Sequence, residues 1–235
     1  MTDESRPLAI EGVRFFGEMS ASVSHEIKNV LAIINENAGL LKDMVAMSAR
    51  GMPLSPERLE GLSQSIVRQV ARGDRIVKTM NRFAHSADYP METVDVYELI
   101  EFVADLANRL IAMKGKPPRI EAPEAAVTAS TNRFYLENLI WACLRRATEA
   151  CSPGGEISID AQKSDACVRI RFRGLATEIF SGGEDFPSMR EKMVCQLVNA
   201  RMAAEEKGAE TILVLEIYSS GNLPDGNGHW SNRPS

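Results

Sequence analysis

The sequence predicts an α+β protein: an N-terminal antiparallel helical hairpin that forms a four-helix bundle on dimerisation, then a C-terminal α/β sandwich. Three observations carry this expectation. Two apolar series with alternating three- and four-residue spacing lie on either side of a Gly- and Pro-rich break in the first part of the chain. Beyond "HSADYPMET" that period gives way to short alternating runs interleaved with apolar helical segments. A single hairpin also leaves one side of each apolar seam facing water, which a second copy would cover. The expected domains are 1–90 (hairpin), 91–220 (sandwich) and 221–235 (flexible tail).

In the first helix, Phe16, Met19, Val23, Ile27, Val30, Ile34, Leu41 and Val45 fall in one narrow sector at about 100° per residue. In the second, the series is Leu59, Leu62, Ile66, Val70, Gly73, Val77, Met80 and Ala84. Between them "SARGMPLSPER" places Gly51, Pro53 and Pro56 where a helix cannot continue, with Ser55 as N-cap and Pro56 as first helical residue. Farther on, "VDVYELIEFVADLANRLIAMKG" reads as a helix and "PPRIEAP" and "AAVTAS" as short extended segments. "NRFYLENLIWACLRRATEAC" is a strongly apolar helix, while "GGEISIDAQ" and "ACVRIRFRG" alternate as strands. "FPSMREKMVCQLVNARMAAEEKG" reads as one helix and "AETILVLEIYS" as the last strand. That order places helices on one face of a largely antiparallel sheet. The Gly-, Asn- and Pro-rich end, "GNLPDGNGHWSNRPS", predicts disorder and holds His229.

With 235 residues and 44% apolar content the chain can bury one good core or two modest ones. A net charge of -5 argues against a nucleic-acid binder, which needs a basic face to displace counterions. Cys143, Cys151, Cys167 and Cys195 form no CxxC pair, so buried reduced thiols and no metal are expected. No basic leader and no long apolar run occurs, which predicts a cytoplasmic protein without a membrane span.

On the helical wheel His25 points about 165° from the seam centre, toward solvent. A lone exposed histidine is by default an inert surface residue, but its setting here is specific. Asn29 lies one turn along the same face, Lys28 on its flank, and Glu26 at the seam margin. A phosphorylatable imidazole needs an accessible ring nitrogen and a neighbour that fixes its tautomer or takes a proton. Exposure supplies the first and Glu26 the second, while Lys28 could stabilise a phosphoryl group by a charge-assisted contact. His85, at the end of the second helix, reads as a helix-end residue.

"SHEIKNVLAII", followed by an apolar helix, a Pro-containing turn and a second helix, resembles the dimerisation and phosphoacceptor domain of bacterial sensor histidine kinases. The resemblance implies that His25 is the phosphoacceptor, that Glu26 assists phosphorylation, and that Asn29 can orient a water to hydrolyse a partner's phospho-aspartate. From about Thr93 to Tyr218 the layout is similar to the kinase ATP-binding domain, but its nucleotide chemistry is missing. Laying "LIWACLRRATEA" over the family's L-x-x-L-x-x-N-A-x-x-A puts Arg146 in place of the magnesium-holding asparagine. Arg173 or Gly174 stands where the adenine-reading aspartate belongs. The lid loop offers only Gly182 and Gly183, beside Glu184 and Asp185.

An acceptor histidine beside a degenerate nucleotide site is similar to the dimeric histidine phosphotransferases of phosphorelays, which resemble kinases stripped of ATP binding. The resemblance implies transfer between response-regulator receiver aspartates through His25, with no cofactor on this chain and magnesium carried by the partner receiver. Three other readings stay open: a response-regulator phosphatase using Asn29, a non-catalytic pseudokinase that binds a kinase or receiver, and a divergent kinase with a rearranged pocket.

Overall fold

The computed structural model describes residues 5–152, 154–176, 186–208 and 210–219. The expected tail with His229, and the Gly182–Gly183 turn with Glu184 and Asp185, lie outside the described residues. The chain divides into two compact units, one of residues 18–82 and one of residues 1–17 with 83–235.

The first unit is drawn from two helices, α1 (Ser5–Ser48) and α2 (Pro56–Ala84). Gly51 takes φ +89° in the turn between them, a left-handed conformation that glycine adopts without a Cβ penalty. Ser55 caps α2 as its position predicts, for the Arg58 backbone N–H donates to Ser55 Oγ at 3.3 Å. Within this unit Met19, Val23 and Val30 are buried, while Ile27, Ile34 and Leu41 of α1 and Leu62, Ile66, Ile76 and Met80 of α2 are half-buried. Val45, Val70 and Val77, all from the predicted seams, are 61%, 57% and 46% exposed. Two helices bury only the stripes that face each other, so the outward part of each broad apolar face stays open in a single chain.

In the second unit the start of α1 is held by aromatic packing. Phe16, placed in the seam by its spacing, is exposed and stacks on Phe83, while Phe15 is the buried ring. Phe15 meets Phe83 edge-on at 5.3 Å between centroids and Phe134 at 5.4 Å. Such ring contacts add to the large apolar area each side chain removes from water.

The rest of this unit runs β1 (Glu92–Asp95), α3 (Val96–Leu106), α4 (Asn108–Ala112), β2 (Arg119–Ile120), β3 (Thr128–Thr131), α5 (Arg133–Ala150), β4 (Ser158–Lys163), β5 (Cys167–Ala176), α6 (Met189–Leu197), β6 (Ala200–Lys207) and β7 (Glu210–Tyr218). β1 and β3 form an antiparallel pair, and the main sheet has the order β2-β4-β5-β7-β6. Among the described strands only β2–β4 is parallel; the other ladders are antiparallel, as expected. Leu136, Leu139, Ile140, Cys143, Leu144 and Ala147 of α5 are buried where that helix packs on β5 and β7. Val168, Ile170 and Phe172 supply the inner face of β5. Alternate residues on its outer face pair with acids: Arg169 with Glu216 at 2.5 Å, and Arg171 and Arg173 with Asp160 at 2.5 and 2.8 Å.

Two expected elements differ. The helix predicted over 94–115 begins as strand β1, and Asp95 then caps α3 by accepting from the Glu98 backbone N–H at 3.1 Å. The helix predicted over 186–208 ends at Leu197, and "ARMAAEEK" is strand β6. Asn199, at φ +53°, turns the chain out of α6, and its side-chain amide donates to the Tyr218 carbonyl at 3.0 Å. β6 then pairs along its whole length with β7. Ala, Met, Glu and Lys favour a helix, but an available ladder outweighs a propensity worth a few tenths of a kcal/mol per residue.

Candidate functional site

His25, Lys28 and Asn29 are all exposed on α1. Positions three and four apart on a helix bring their Cβ atoms to roughly 5–6 Å, so the three side chains share one solvent-facing patch. α1 is a continuous helix there, and the buried neighbours Ser22, Val23 and Val30 fix which face turns outward. The imidazole is therefore presented on a rigid element with access for a bulky donor.

Glu26 lies elsewhere. It is 9% exposed, on the inward side of the helix, and its Oε2 accepts from Arg72 Nη2 of α2 at 3.4 Å. The carboxylate is thus engaged across the hairpin with Arg72 rather than with the imidazole. The structure therefore brings His25, Lys28 and Asn29 together and leaves Glu26 beneath them. Arg72 escaped the sequence reading. A cation one position before Gly73, inside an apolar series, was the available signal.

In the second unit the positions that the resemblance singles out, Arg146, Arg173 and Gly174, have well-defined partners. Arg146 on α5 donates through Nε and Nη2 to Glu191 Oε1 and Oε2 at 2.9 and 3.0 Å, a bidentate pair. Its guanidinium also lies 5.2 Å from the centroid of the Phe186 ring. Glu191 is the N3 residue of α6 and closes a capping box with Ser188, another signal ("SMRE") that was legible in the chain. Burial opposes ionisation of Glu191. Hydrogen bonds from Arg146 and from the Ser188 backbone and hydroxyl overcome that opposition, holding the carboxyl below its ordinary value.

Gly174 has φ +85° at an irregularity in β5 between Phe172 and Leu175. A Cβ there would lie 2.2 Å from the Glu156 carbonyl oxygen. An aspartate, or any side chain, is excluded by backbone. Arg173 is engaged with Asp160.

The cysteines depart partly from expectation: Cys143 and Cys195 are buried, whereas Cys151 and Cys167 are half-buried. Burial pushes the Cys143 thiol well up and the Cys195 thiol up to about 12. His85 is exposed at the end of α2, with Nδ1 2.8 Å from Asp88 Oδ2. Among the described residues no group of three His, Cys, Asp or Glu side chains could hold a metal ion, and no helix is long and apolar enough to cross a membrane.

The chain is similar to histidine kinases of solved structure. A histidine kinase from Burkholderia phymatum STM815 shares 15% identity over 86% of this chain and 97% of its own, with a TM-score of 0.45. The histidine kinase ThkA, solved in complex with the response regulator protein TrrA, shares 19% identity over 88% of this chain and 63% of its own, with a TM-score of 0.46. A bacterial phosphotransferase shares 14% identity over 85% of this chain and 95% of its own, with a TM-score of 0.44. No protein-family model matches the chain, and no curated protein matches it. These likenesses concern the fold as a whole and assign no residue a role.

Proposed function

We propose that the chain is a histidine phosphotransferase of a phosphorelay, passing phosphoryl between response-regulator receiver aspartates through His25 without using ATP. The observation that carries this reading is a contrast between two positions. In a sequence that resembles a sensor kinase, the acceptor imidazole is exposed on α1, while the place of the magnesium-holding asparagine is taken by Arg146, tied to Glu191. A guanidinium cannot ligate a divalent cation, which takes oxygen donors.

In the proposed step a ring nitrogen of His25 attacks the phosphoryl group of a receiver's phospho-aspartate. The P–N bond forms as the acyl P–O bond breaks, and the aspartate leaves as a carboxylate; the reverse step delivers phosphoryl to a second receiver. Magnesium belongs to the receiver in this scheme, and Lys28 offsets charge on the transferring phosphoryl group. A homodimer through the helical hairpin is part of the same proposal, supported by the exposed Leu31, Leu40, Val45, Val67, Val70 and Val77 on its two helices.

Incubation with a phosphorylated receiver tests the reading. The wild type should take up label and His25→Gln should not, whereas labelling of the wild type by ATP alone would overturn it. The exposure of Asn29 favours one second activity, hydrolysis of the receiver's acyl phosphate by an oriented water. Loss of receiver phosphate without labelled protein, abolished by Asn29→Ala, would identify that activity instead.

A further inference from the structure

We propose that Arg72 is a positioning residue for His25 chemistry: it tethers the Glu26 side chain inside the hairpin, one residue from the phosphoacceptor. The inference deepens the phosphotransferase reading and rests on it.

Glu26 sits in a segment whose buried positions include the apolar Met19, Val23 and Val30. A carboxylate removed from water in such a setting is costly unless a cation and hydrogen-bond donors face it. Arg72 Nη2 at 3.4 Å is the partner provided, and it comes from the other helix, 46 positions along the chain. The approach of the two helices makes that reach possible. Gly73, next to Arg72, faces Val30 across the hairpin, and a Cβ added there would lie in ordinary contact, 3.4 Å from Val30 Cγ1. A glycine within a helix costs about 1 kcal/mol relative to alanine, and here it coincides with the level of the ion pair. Around it the interface is more polar than an apolar seam requires. Ser22 Oγ, one turn before Glu26, and Gln69 Oε1, one turn before Arg72, are both buried without a hydrogen-bond partner in the described structure.

The chemistry explains what the pair would do. When a neutral imidazole attacks phosphorus, its ring becomes cationic until the remaining N–H proton leaves. A fixed negative charge nearby stabilises that state more than the neutral ground state. Without Arg72 the Glu26 side chain would lose its tether across the hairpin and turn out to water, and its charge at the ring would fall. Arg72 touches neither the phosphoryl group nor the imidazole; it acts through Glu26.

The test uses the full chain and phosphoramidate, a small donor that needs no receiver. A ring nitrogen of His25 attacks phosphorus, the donor's P–N bond breaks, and ammonia departs and takes the proton released from the other ring nitrogen. The rate of phospho-His25 formation is followed by mass spectrometry, with circular dichroism to confirm helix content. Arg72→Met should slow labelling about fivefold to tenfold, the size expected of a contact worth roughly 1 kcal/mol or slightly more. Arg72→Lys should restore at least half the rate. In a Glu26→Gln background, Arg72→Met should change nothing further.

An unchanged rate in Arg72→Met, or the same fold loss with and without Glu26, overturns the proposal. Should Arg72→Met lose helix content, Arg72→Gln serves in both backgrounds under the same criteria. Labelling of His25 by phosphoramidate without transfer to or from receivers would sink the phosphotransferase reading alone. A wild-type His25 that phosphoramidate cannot label would sink both.

Discussion

Replacing Arg146 with Met should destabilise the sheet-containing unit by about 2–3 kcal/mol, a value that follows from how its partner is buried. Glu191 has an 8% exposed side chain and receives both guanidinium bonds, while the Arg146 side chain is 19% exposed. Stripping one partner from a fully buried pair costs about 3–5 kcal/mol, since the survivor is left charged and dry. Residual solvent access at Arg146, and the Ser188 hydrogen bonds that Glu191 keeps, move the expected cost below that range. The Phe186 contact returns about 0.5–1 kcal/mol to it.

Urea unfolding followed by circular dichroism measures this directly, and the melting temperature should fall by roughly 5–10 °C. Arg146→Met/Glu191→Gln should cost less than the sum of the single changes, because the second removes the charge that the first strands. Glu191 titrates below its ordinary value when folded, so its contribution is complete above the unfolded carboxylate pKa and is lost as pH falls through the folded one. Arg146→Met should flatten that acid limb. A change under about 0.5 kcal/mol, or strict additivity in the double variant, would refute the reasoning.

Gly174→Ala should cost about 3 kcal/mol or more, since it combines a positive φ with a 2.2 Å approach to the Glu156 carbonyl oxygen; a melting temperature equal to wild type would refute that geometry. With a disulfide reagent at pH 8, Cys151 and Cys167 should react in the native protein while Cys143 and Cys195 wait for denaturant. Early modification of Cys143 or Cys195, read by peptide mapping, would contradict their burial.

The parts of the architecture read correctly from the chain were those governed by local chemistry. Ser55 and Pro56 announced the start of α2, and the outward setting of His25 followed from helical period alone. The failures lay where distant partners decide. "ARMAAEEK" is helix-prone, yet β7 offers it an unfilled edge. Phe15, one position outside the apolar period, is buried because Phe83 and Phe134 converge on it from remote parts of the chain. At the candidate site the same division holds. His25, Lys28 and Asn29 were visible as neighbours on one helix, whereas Arg72 pairs with Glu26 from the other.

The kink at Gly174 bears on the order in which this protein could change. Because main chain fills the space a Cβ would need, any other amino acid at that spot forces β5 and the segment holding Glu156 apart. A side chain gained at that position would therefore come with a shift of the scaffold, so a new contact there and the present backbone path exclude one another.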